Sequence, residues 1–136
     1  MDDPATTVED FLDDLLNFDV PALRNRLHRR VHLRALEPGA TVGHSGAAAV
    51  ATDRVRQLAC WGQVRVLHRH TWRFAGRFGL DLRLQVGREP DLWECEQRIY
   101  LDIDGGLIHR IDVLSSGCHR ISPQSDPTSR GQGERP

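Results

Sequence analysis

The sequence predicts an α+β domain in which helices cover a curved antiparallel sheet. Three observations carry that prediction. Apolar residues recur at helical spacing up to Trp61, and beyond Gly62 the spacing changes to two through four successive runs. A chain of 136 residues is enough for one core and too short for two.

The elements follow in order. Residues 1–5 form a short polar lead. Thr6 or Thr7, with Glu9 or Asp10 three residues on, makes a capping box, and Val8, Phe11, Leu12, Leu15 and Leu16 then fall on one helical face. Asp19 before Pro21 starts a second short helix carrying Ala22, Leu23 and Leu27. Residues 31–34 read as a brief strand, Glu37-Pro38-Gly39 as a turn, and Gly43 to Gly46 as a flexible loop. Ser45 caps a third helix whose inner face holds Val50, Val55 and Leu58, and which Gly62 ends.

In residues 63–74, Val64, Val66, His68, His70, Trp72 and Phe74 alternate onto one face, against Arg65, Leu67, Arg69, Thr71 and Arg73. Residues 77–88 set Phe78, Leu80, Leu82, Leu84 and Val86 against Asp81, Arg83 and Gln85. Residues 92–103 set Trp93, Cys95, Gln97, Ile99, Leu101 and Ile103 against Glu94, Glu96, Arg98, Tyr100 and Asp102. Asp104-Gly105-Gly106 is a hairpin signal. The last strand, about 107–115, is apolar on both sides, so it lies centrally or meets a second subunit. Residues 122–136 have no apolar residue and read as a disordered tail, leaving 6–121 as the single domain.

Composition narrows the function. The 18 basic residues are all Arg, interspersed with 19 acids for a net charge of −1, which gives no global pull toward nucleic acid or membrane. No apolar run approaches the roughly 20 residues that span a bilayer. Cys60, Cys95 and Cys118 make an odd count without a CxxC pair or a secretory signal, which argues against a disulfide framework and for the cytoplasm. On that reading Cys95 is a small hydrophobe, with no basic partner to make it a nucleophile.

Helices followed by a long meander, together with Asp104-Gly105-Gly106-Leu107-Ile108-His109-Arg110-Ile111-Asp112 and Ser116-Gly117-Cys118-His119-Arg120, resemble the nuclear transport factor 2-like superfamily. Within it, the chain is similar to the SnoaL-like polyketide cyclase and ketosteroid isomerase group. That group's last hairpin often reads Asp-Gly-Lys-Ile with an acid five residues beyond the Ile. Here Leu107 takes the Ile position and Asp112 the acid. The resemblance implies a cone-shaped half-barrel roofed by three N-terminal helices, often a homodimer packed sheet to sheet. It also implies a cofactor-independent cyclase or isomerase of bacterial secondary metabolism, acting on an apolar polyketide-like molecule. The alternative is a non-catalytic small-molecule-binding or dimerisation module on the same fold.

The resemblance gives Asp112 the part of general acid or base, a role that needs a carboxyl desolvated inside an apolar pocket; otherwise it faces solvent or pairs with an Arg such as Arg110. His68 and His70, on the face of Val66 and Trp72, are pocket acid–base groups or satisfied core histidines. As an i, i+2 pair they could also bind a metal, but Phe74 stands where an acid ligand would be needed, so no metal is expected. Trp61, Trp72 and Trp93 are substrate walls or plain core, and Gln97 could anchor a carbonyl or hydroxyl. Asp81 and Arg83 lie opposite the leucine face and read as an exposed ion pair. Arg65, Arg69 and Arg73 read as partners for Glu94 and Glu96 across the sheet or a subunit boundary.

Overall fold

A computed structural model describes residues 3–121. The tail expectation for 122–136, and residues 1–2 of the lead, lie outside these. Helix α1 spans Pro4–Leu16 and begins earlier than Thr6 or Thr7: Asp3 is its N-cap and accepts from the Ala5 N–H at 3.1 Å, with Pro4 in the first turn. Helix α2 (Val20–Asn25) is capped by Asp19, which accepts from the Ala22 N–H at 3.1 Å.

Strand β1 (Leu27–Glu37) is far longer than the brief strand expected, and β2 (Ala40–Ser45) occupies what read as a loop. β1 was hidden by its polar residues: Val31, Leu33 and Ala35 are buried, while Arg30, His32 and Arg34 between them face out. Helix α3 (Ala47–Ala59) is capped by Gly46 and not by Ser45, whose hydroxyl instead meets His32 Nδ1 at 2.9 Å. Two strands therefore separate α3 in sequence from the first two helices, while α3 packs against α2.

Strands β3 (Val64–Phe74), β4 (Arg77–Arg88), β5 (Asp91–Asp104) and β6 (Leu107–Ile121) complete a six-stranded sheet of order β2-β1-β6-β5-β4-β3. The sheet is open, and it is mixed and not purely antiparallel, because β1 runs parallel to β6. β6 lies centrally between β1 and β5, as its two apolar faces require.

One face of the sheet carries the core. Leu80, Leu84, Ile99, Leu101, Ile111 and Leu33 are almost wholly buried together with Phe11 and Leu12 of α1 and Val50 and Ala51 of α3. The middle of this helix-facing side is thus packed with side chains. Among the described residues, no helix is long and apolar enough to cross a membrane.

Two departures alter the site. A register shift between Val66 and His68 makes a β-bulge at Leu67. Before it, Val64 and Val66 pair with Val86 and Leu84 on the core face. After it, His68, His70 and Trp72 pair with Arg83, Asp81 and Gly79, on the opposite, outer face. The strict alternation expected for residues 63–74 breaks there, and Arg69 and Arg73 turn to the helix side. Arg69 accordingly pairs with Glu9 of α1, and Arg73 lies 4.8 Å from the Phe78 ring centroid, while Arg83 is the partner of Glu94 and Glu96. The second departure is a disulfide between Cys95 and Cys118, residues directly paired across β5 and β6 with Cα atoms 4.2 Å apart. Odd cysteine count concealed it: Cys60 alone is free.

Candidate functional site

The register lays one row of residues across five strands of the outer face: Arg34, Asp112, Tyr100, Gly79 and Trp72. Asp112 sits in the middle of it, its side chain 15% exposed. Its Oδ2 accepts from Arg77 Nη2 at 2.8 Å and from Arg110 Nε at 3.0 Å. Oδ1 is buried and has no hydrogen-bond partner among the described residues, with Arg34 Nε 3.8 Å from it. Arg77 also donates to Asp102 at 2.6 Å and lies 5.4 Å from the Tyr100 ring centroid.

Burial works to raise the Asp112 pKa, but the hydrogen bonds from Arg110 and Arg77, with their charges, outweigh it and hold the carboxyl below its ordinary value. The same contacts overcome the desolvation of Arg77 and raise its pKa. A general acid needs the reverse, a carboxyl kept protonated by an apolar surround. Arg110, two residues away on the same strand face, was the legible signal; Arg34 and Arg77 come from β1 and β4 and left none in the spacing.

The expected alliance of Asp112 with His68 and His70 changes character. All three lie on the outer face, away from the core that Val66 faces. His68, Asp81, Arg83, Gln97, Arg98 and Leu114 border an open hollow of about 500 Å³. Gln97 itself lies opposite Leu82 and Ser115, half-buried on the helix side. Asp81 pairs with Arg98 at 2.9 Å, not with Arg83. Trp72 seats its indole over Gly79 and meets Tyr100 edge to face, the ring centroids 5.4 Å apart.

The three tryptophans thus divide. Trp61 and Trp93 line one open groove of about 620 Å³ where the chain leaves α3 and the β4–β5 turn closes the sheet, while Trp72 is on the other face. Register opposite Val86 sets Trp93 on the helix side, 39% exposed. Val86 and Cys118 line the same groove, so the disulfide lies against it; Cys60, Glu89 and Asp91 line it too. Glu89 and Asp91 carry no signal in the sequence, because turn acids show no periodicity, and Cys118 stands there only in the odd cysteine count and the closing motif. Among the described residues, no cluster of three or more His, Cys, Asp or Glu side chains is arranged to hold a metal ion.

No family model matches the sequence, and no curated protein matches it significantly. Solved structures do match in fold. A protein of unknown function from Cytophaga hutchinsonii, described as NTF2-like, superposes with TM-score 0.64 at 13% identity, covering 85% of this chain and 92% of that one. A Xanthomonas campestris protein provisionally named a polyketide cyclase gives 0.64 at 15% identity, over 81% and 87%. A Catenulispora acidiphila protein with a ketosteroid isomerase-like fold, solved with trimethylamine, gives 0.66 at 12% identity, over 81% and 85%. With helices on one side of a six-stranded open sheet and these neighbours, the chain has the nuclear transport factor 2-like fold.

Proposed function

We propose that the protein binds a small molecule in the groove between Trp61 and Trp93, and that Asp112, His68 and His70 take no part in acid–base chemistry there. The observation that carries this reading is a separation. The two indoles share one groove on the helix side, whereas the three titratable candidates lie on the outer face. A groove of about 620 Å³ walled by indoles has the size and the apolar surface that small ligands use. The Catenulispora neighbour, solved with trimethylamine, supports small-molecule binding on this fold.

Titration with 2-naphthol, read by quenching of tryptophan emission, tests the proposal. Trp93→Ala is expected to weaken binding at least about tenfold, the worth of one buried aromatic contact, while Asp112→Asn leaves it unchanged. Equal affinity in wild type and Trp93→Ala overturns the assignment, as does loss of binding in Asp112→Asn.

A second reading is cyclisation or isomerisation of an apolar polyketide-like intermediate in bacterial natural-product biosynthesis, favoured by the Xanthomonas neighbour. In this groove it would proceed by holding the substrate in a reactive shape between the indoles. We further infer a homodimer through the outer face, where Leu36, Phe74 and Leu114 are exposed beside Trp72 and Tyr100. The disulfide points to an oxidising compartment and away from the cytoplasm expected from the cysteine count.

A further inference from the structure

We propose that the Trp61–Trp93 groove selects an organic cation, a substituted ammonium head on an apolar body. The inference rests on the groove being the binding site and adds the charge of its ligand. A neutral apolar guest needs only walls. This groove adds two carboxylates, Glu89 and Asp91, on either side of Pro90 in the β4–β5 turn, lining the same space as both indoles. Asp91 is engaged by Arg120 Nη2 at 2.6 Å, whereas Glu89 has no ion pair among the described residues. Arg88 lines the groove as well, so its rim holds one positive and two negative side chains.

An indole face carries negative quadrupolar charge and attracts a cation, more strongly as the cation is desolvated. Trp93 is 39% exposed, so it has ring surface to offer. A substituted ammonium is held by both features at once: its alkyl groups spread over the rings, and its charge faces Glu89. A carboxylate or phosphate ligand would meet the same rings and the same acids with the wrong sign.

The test uses choline and 3,3-dimethylbutan-1-ol, which share a shape and differ by nitrogen cation against carbon. Affinities are measured on the full chain by tryptophan emission and by NMR line broadening of the ligand. Choline is expected to bind about 5- to 30-fold more tightly than the alcohol. Glu89→Gln should cut that ratio to about threefold or less, and Arg88→Ala, which removes the competing cation, should raise it. Equal binding of the two probes overturns the proposal, as does a ratio unmoved in both variants, or no saturable binding of either probe. The groove assignment fails separately, when Trp93→Ala leaves 2-naphthol binding intact. Equal binding of choline and its isostere with loss of both in Trp93→Ala keeps the groove and removes the cation preference.

Discussion

Reduction of the Cys95–Cys118 bond isolates one covalent restraint with almost no change in packing. Cys95 is buried against Leu84 in the register and remains a small apolar side chain when reduced. The bridge closes a loop with a sequence separation of 23. In the chain-entropy account, such a loop removes about 11 cal/mol/K from the unfolded ensemble, or about 3 kcal/mol at 25 °C. Unfolding entropy of about 2.1 cal/mol/K per residue over residues 3–121 converts this to a drop in Tm of about 12 °C. The assay is a circular-dichroism melt of air-oxidised Cys60→Ser protein with and without a phosphine reductant. Alkylation of denatured wild type, read by mass, should find one thiol before reduction and three after. A Tm that moves by less than about 3 °C, or three alkylated thiols without reductant, refutes the reasoning.

Asp112→Asn removes the charged acceptor of two guanidinium hydrogen bonds, and should cost about 1–2 kcal/mol at pH 7 in urea unfolding. The Asp112 pKa is lowered in the folded state, so its stabilisation is complete above the unfolded value of 3.8 and is lost as pH falls through the lower folded value. The asparagine variant should therefore lose less stability than wild type on acidification below pH 3.8; parallel acid profiles would show that the Arg77 and Arg110 contacts contribute nothing. Gly79→Ala would place its Cβ 2.1 Å from Trp72 Cε2 and lift the indole off its seat. That should cost about 1–3 kcal/mol and change the near-ultraviolet circular dichroism of the Trp72–Tyr100 pair; an unchanged spectrum would contradict the packing. Light scattering at micromolar concentration should give twice the chain mass, with Leu114→Arg shifting it to monomer, and a monomeric wild type removes the outer-face dimer.

Much of the fold was legible because its signals are local and strong. Phe11, Leu12 and Leu15 repeat at the helical period, the leucines of β4 at the strand period, and Asp104-Gly105-Gly106 turns β5 into β6. β1 and β2 were less legible for different reasons: β2 is an edge strand of six residues with no buried side chain. Its neighbour β1 draws its apolar pattern, Val31, Leu33 and Ala35, through a run of Arg and His. The candidate site was less legible still. Trp61 and Trp93 are 32 positions apart in the chain and share a groove only because α3 ends at the corner where β5 begins. Asp112 stood out as a carboxyl on an apolar strand, but Arg110 beside it and Arg77 from β4 decide its ionisation, and pairing across strands is not written in spacing along one of them.

The surplus residue at Leu67 has an evolutionary consequence. β3 is an edge strand with a single partner, β4, so losing or gaining one codon there disturbs only one ladder of hydrogen bonds. Because His68 already pairs with Arg83, the neighbour of Leu84, losing that codon would leave His68, His70 and Trp72 outside. Taking Leu67 into the ladder at unchanged length would instead bring two imidazoles and an indole beneath the helices and expel Arg69, Thr71 and Arg73, without a single substitution. Lineages on this scaffold could in that way acquire or discard a polar interior in one step, and an alignment of their residues column by column would pair side chains that look in opposite directions.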